Sequence, residues 1–92
     1  MTDLNATLAE RGSHYGDFRG HSEVTQDLKA IIDMHLERRN KALAPDQQEA
    51  LEMIAHKIGR IINGDPDYAD SWHDIAGYAQ LVENRLNGEG VQ

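Results

Sequence analysis

Charged side chains at helical spacing on two adjoining segments carry most of the chemistry available to this chain. Glu49, Glu52, His56, Lys57 and Arg60 stand on the first; Asp70, His73 and Asp74 stand on the second, past an NGDPD turn at 63–67. Residues three and four apart share one helix face. If the segments fold back on each other, Lys57 and Arg60 come level with Asp70 and Asp74, which lie one turn apart on one stripe. Placed cations hold a phosphate, and placed carboxylates hold a divalent metal. The same groups can instead neutralise one another as an interhelical ion-pair network. Glu49 and Glu52 read either as metal ligands or as ordinary charges in the first turn of a helix.

A second candidate is the loop RGSHYGDFRG at 11–20, with glycines at 12, 16 and 20. Glycine lets backbone approach a ligand closely, so Arg11 there can meet a phosphate while Tyr15 stacks on a base. The alternative is a surface turn pinned to the core by Tyr15 and Phe18. The pattern is neither a Walker loop nor a dinucleotide fingerprint. Trp72 reads as a core or interface anchor, or as a base-stacking platform. His56 and His73 lack the i, i+4 spacing of a zinc pair, and His14 and His21 beside the loop carry no specific signal. Ser71, His73 and Asp74 crowd together in sequence but point in different directions on a helix, so no catalytic triad forms.

Helices must position these groups. A short one is expected over Asp3–Glu10, ended by Arg11-Gly12 before the glycine loop. Val24, Leu28, Ile31, Ile32 and Leu36 recur at helical period over 22–38. Pro45 opens the next helix, which carries Leu51, Ile54, Ile58, Ile61 and Ile62 and stops at Asn63-Gly64. Asp65-Pro66 starts a last helix through Trp72, Ile75, Ala79, Val82 and Leu86, closed by Asn87-Gly88. The expected fold is all-α: a small bundle of three long helices plus a short N-terminal helix and glycine-rich loop. The last two helices form an antiparallel hairpin, with the second packed across them. One domain spans 1–92, divided into helix and loop at 1–21, a helical core at 22–88 and a frayed tail at 89–92.

Ninety-two residues with 39% apolar and 5% aromatic content bury only a modest core, so a homo-oligomer is expected, a dimer or higher. There is no cysteine, hence neither disulfide nor thiolate chemistry. No apolar run reaches the roughly 20 residues of a membrane span, and MTDLNATLAERG has no signal-peptide core, so a cytoplasmic protein is expected. A net charge of −7 disfavours a nucleic-acid surface, whose counterion release needs clustered cations. The one cluster, ERRNK at 37–41, lies at a helix end where the dipole accounts for it. A small anionic ligand remains compatible.

The runs HYGDF at 14–18, Lys57-x-x-Arg60 and DSWHDIAGY at 70–78 resemble a small phage and prophage family. That family is similar to nucleotide-modification-associated domains and, more remotely, to MazG-like all-α nucleoside triphosphate pyrophosphohydrolases. The latter hold magnesium with E-x-x-E on one helix and E-x-x-D on another. Glu49 and Glu52 fit the first pair by spacing; aligned by helical pattern, Glu52 becomes its first member and the second falls at Ala55. Asp74 matches the second pair's aspartate, but Ser71 stands where its glutamate belongs, and Asp70 lies one turn earlier. The resemblance thus implies a nucleotide or cyclic nucleotide as ligand. Lys57 and Arg60 would hold the phosphate, Tyr15 or Trp72 the base, and Asp70 and Asp74 would orient the cations. A host signalling nucleotide sequestered against a defence response would be the role. The alternatives are magnesium-dependent hydrolysis through Glu49, Glu52, Asp70 and Asp74, or a protein that docks on and inhibits a host factor.

Overall fold

The helical periodicities resolve into four α-helices in the computed structural model, which describes residues 2–88. They are α1 (Thr2–Tyr15), α2 (Phe18–Arg38), α3 (Pro45–Asn63) and α4 (Ala69–Leu86). No strand occurs among the described residues. The expected tail at 89–92 lies outside them.

Three boundaries differ from expectation: α4 starts at Ala69, not at Asp65-Pro66, which lie in the turn before it, and two more differ beside the glycine loop. The first helix continues through Gly12 to Tyr15, and the second starts at Phe18 instead of Ser22. The ten-residue loop contracts to Gly16-Asp17. One glycine costs a helix only about 1 kcal/mol, and α1 recovers this by docking on α2 and α3. Gly16 then takes a positive φ of 76° and Asp17 caps α2 from an extended conformation, its side chain accepting from Gly20 N at 3.4 Å. The other ends follow the sequence signals. Asn40 at φ 49° turns the chain after α2, Pro45 opens α3, and Gly88 at φ 72° follows α4.

α3 is the centre of the molecule. α2 packs on one side of it and α4 on another, while α1 touches α2 and α3; among the described residues α2 and α4 do not meet. The hairpin of the last two helices is as expected, but the second helix does not pack across both of its arms: of the two it touches α3 only. Gly59 sets that crossing, because a Cβ there would collide with Thr25 Oγ1 and with the His21 ring. The α3–α4 register is fixed by two ion pairs, Lys57 Nζ to Asp74 at 2.9 Å and Arg85 Nη2 to Asp46 at 2.7 Å.

An open three-layer arrangement buries little. Among the described residues the buried apolar ones are Ala50 and Ala55, and no large side chain is fully enclosed. His21, Thr25, Lys57 and Ser71 are buried polar groups. Ile31, Leu51, Ile62, Trp72 and Leu86, all on the expected apolar stripes, are exposed.

Candidate functional site

Asn63, the last residue of α3, assembles the site. Its Nδ2 donates to the carbonyls of Tyr15 at 2.9 Å and Asp17 at 2.8 Å. Asp65 N donates to His14 O beside them. Three backbone carbonyls of the α1–α2 junction are thereby clamped onto the end of α3. The clamp brings Arg11 and Gly16, Phe18 and His21, and His56 and Arg60 around one cleft of about 370 Å³. Both candidate regions of the sequence, the glycine loop and the cationic stripe of α3, meet there.

Lys57 and Arg60 are three residues apart yet part company. The Lys57 ammonium is buried against Asp74, which lowers the Asp74 carboxyl below its ordinary range through that hydrogen bond and charge. Arg60 turns the other way and lays its guanidinium over the Tyr15 ring, 4.2 Å from the centroid. Tyr15 is held edge-on by Tyr68 at 5.8 Å, and Tyr68 stacks on His14 at 3.9 Å. A stacked guanidinium keeps its N–H edges free for an acceptor. Among the described residues neither Arg60 nor Arg11 has a carboxylate within ion-pair distance.

Asp17 brings one carboxylate to the cleft lining, and His21 and His56 bring two imidazoles. His21 Nε2 donates to His56 O at 3.0 Å, and the two rings meet edge to face at 4.4 Å. Burial, then the charges of His21, Arg60, Lys57 and Lys29, push His56 down to about 4. Burial also lowers His21, with Arg60 and Lys57 adding to it and the hydrogen bond to His56 opposing. Both imidazoles are therefore uncharged at neutral pH. The smaller, electrostatic part of both shifts comes from nearby cations, Arg60 and Lys57 in each case. The first turn of α2 also opens at this end, and its leading N–H groups have no partner within the helix.

The other sequence candidates stand apart. Asp70 accepts from Tyr68 Oη at 3.2 Å, and its charge chiefly raises the Tyr68 hydroxyl. Trp72 is 55% exposed on α4, its Nε1 donating to Pro66 O at 2.8 Å, so it braces the hairpin turn. Glu49 is exposed, and Glu52 accepts from Gln48 Nε2 at 2.7 Å. The α3–α4 register sets Glu52 across from Ala79 and Glu49 across from Val82. Asp74 is thus displaced from them along the axis by about 8 to 12 Å at 1.5 Å per residue. No group of three His, Asp or Glu side chains among the described residues is arranged to hold a metal. The set Glu49, Glu52 and Asp74 does not form one site, and the carboxylates would not fit a magnesium ion.

Phe18, His21, Asn63 and Tyr68 belong to the site without a decisive sequence signal. Asn63 in particular reads as a helix terminator, whereas its side chain works on residues 46 and 48 positions away. Gly64 after it stays at φ −125°, outside the left-handed region.

The chain belongs to the DUF6378 family, a domain of unknown function, whose model it matches over residues 3–86. No curated protein matches it. No solved structure matches it.

Proposed function

We propose that the chain binds a nucleotide or cyclic nucleotide in the cleft between α1, the start of α2 and the end of α3. The observation that carries the reading is the pair Arg11 and Arg60, cations without an ion-pair partner among the described residues, lining one cleft with the opening turn of α2, where Asp17 is the one acidic side chain. Two guanidinium groups suit a phosphate, although the first turn of α2 is capped by the Asp17 carboxylate. The cleft volume of about 370 Å³ falls within the roughly 300–1,000 Å³ of small-molecule sites.

Roles divide differently from the sequence expectation. Lys57 is committed to Asp74, so the phosphate falls to Arg60 and Arg11. The Tyr15 face is occupied by Arg60 and orients it. Phe18, 79% exposed beside the cleft, offers the open ring for a base, and neutral His21 and His56 exclude water behind the phosphate. The resemblance to a phage family adds a biological role, capture of a host signalling nucleotide without turnover. The hydrolytic alternative requires a magnesium site that the carboxylates do not assemble.

The test is a thermal-shift screen against linear and cyclic nucleotides, each with and without magnesium. A stabilisation independent of magnesium, lost in Arg60→Ala and kept in Lys57→Ala, is the expected result. Magnesium-dependent stabilisation followed by disappearance of the nucleotide would support hydrolysis. No shift with any nucleotide would overturn nucleotide binding and favour a protein partner.

A further inference from the structure

The apolar surface left open between α3 and α4 has a definite size and chemistry. A compact 10.3 kDa chain exposes about 5,400 Å² by the scaling of surface with mass, and this one exposes 6634 Å². The excess is roughly 1,300 Å², close to the area of about 1,000 Å² or more per partner that a permanent interface covers. The radius of gyration, 15.4 Å, likewise exceeds the roughly 12 Å of a compact domain of this length.

One apolar opening on this surface is a groove of about 350 Å³ between the two helices of the hairpin, lined by Leu43, Ala50, Leu51, Ile54, Ala79 and Val82. Charged residues make up 27% of the chain, yet none lines this groove; Gln47 is its one polar side chain. The apolar groove on α2, by contrast, includes His35, Arg39 and Lys41. Beside the α3–α4 groove, Asp46 and Arg85 neutralise each other through bonds of 2.7 and 2.8 Å. No carboxylate of the groove lining therefore opposes a second chain of net charge −7. The groove also has both parts of a self-complementary contact: Leu51 projects from it, 39% exposed, beside the small side chains of Ala50 and Ala79.

We infer that a second copy of this chain docks on the α3–α4 groove, pairing the two hairpins about a two-fold axis so that each buries the other's missing core. Because the interface replaces a core the isolated chain does not have, the partner must be present whenever the chain folds, which a second copy guarantees. The anion cleft lies toward the opposite end of α3, so this pairing is independent of what that cleft binds.

Sedimentation at micromolar concentration tests the assembly. An even multiple of 10.3 kDa is expected for the native chain, and half that assembly or less for Ala79→Arg. A cooperatively melting species of single-chain mass, an odd multiple, or an Ala79→Arg variant of unchanged mass would overturn the inference. Because a charge at Ala79 can act on folding as well as on docking, proximity supplies a second readout. The chain has no cysteine, so Ala79→Cys introduces a unique thiol at an exposed position. A short bis-maleimide is expected to link two copies of Ala79→Cys and not two copies of Ile31→Cys on α2. Linkage through Ile31→Cys alone, or through neither, would overturn it.

Discussion

Arg60 lies over the ring of Tyr15, 4.2 Å from its centroid, because Asn63, 48 positions along the chain from Tyr15, fastens the Tyr15 carbonyl to the end of α3. The relationship turns a cation of the helical stripe toward the glycine turn and separates it from Lys57. Arg60→Ala is expected to abolish nucleotide-dependent stabilisation while changing the stability of the unliganded protein by only about 0.5–2 kcal/mol, the worth of a cation–π contact. Tyr15→Leu should weaken binding by a smaller factor, since the cation stays but loses its support. Calorimetric titration of both variants with the ligand found in the screen distinguishes them.

Lys57 acts on stability. Its ammonium is buried and hydrogen-bonded to Asp74, whose side chain is 43% exposed. Lys57→Ala removes a buried stem and leaves Asp74 facing solvent, so a loss of about 1–2 kcal/mol in urea unfolding is expected, with the ligand response retained. Equal loss of ligand response in Lys57→Ala and Arg60→Ala would refute the division of roles.

Asn63→Ala removes the donors to the part-buried Tyr15 carbonyl and the exposed Asp17 carbonyl and releases the α1–α2 junction. A destabilisation of about 1–3 kcal/mol is expected, with increased amide exchange confined to α1 and the first turn of α2. Unchanged exchange there would show that the clamp does not hold the junction.

The pH dependence follows from His56. Its folded-state value, about 4, lies below the ordinary 6.5. Between these values the unfolded chain binds a proton that the folded chain refuses, so stability falls as pH drops from 6.5 toward 4, and levels off below. Because the ring is partly exposed, the effect is discounted to about 1 kcal/mol. His56→Gln is expected to flatten this segment of the curve of Tm against pH; an unaltered slope would assign the effect to other groups.

Thr25 Oγ1 is buried without a hydrogen-bond partner, against Gly59 at the α2–α3 crossing. Thr25→Val keeps the shape and removes the unsatisfied hydroxyl, so a gain of about 1 kcal/mol in denaturant unfolding is expected. A loss instead would mean that the hydroxyl has a partner in solution.

The sequence by itself determined the elements and their order. Apolar residues at helical period, Pro45, the Asn87-Gly88 end and the short turn at 63–67 act within a few positions, and local rules therefore locate α3, α4 and their hairpin. The meeting of Lys57 with Asp74 follows from that hairpin, because a short turn fixes the register. What local rules cannot supply is a contact between distant segments. That α1 runs on to Tyr15, that Asn63 clamps the turn after it, and that Arg60 leaves the carboxylates for Tyr15 were decided by packing of α1 and α2 on α3. The apolar stripes show the same division. Periodicity marks Leu51 and Ala79 as facing something, but only the tertiary arrangement, with α2 and α4 on separate sides of α3, leaves that face open.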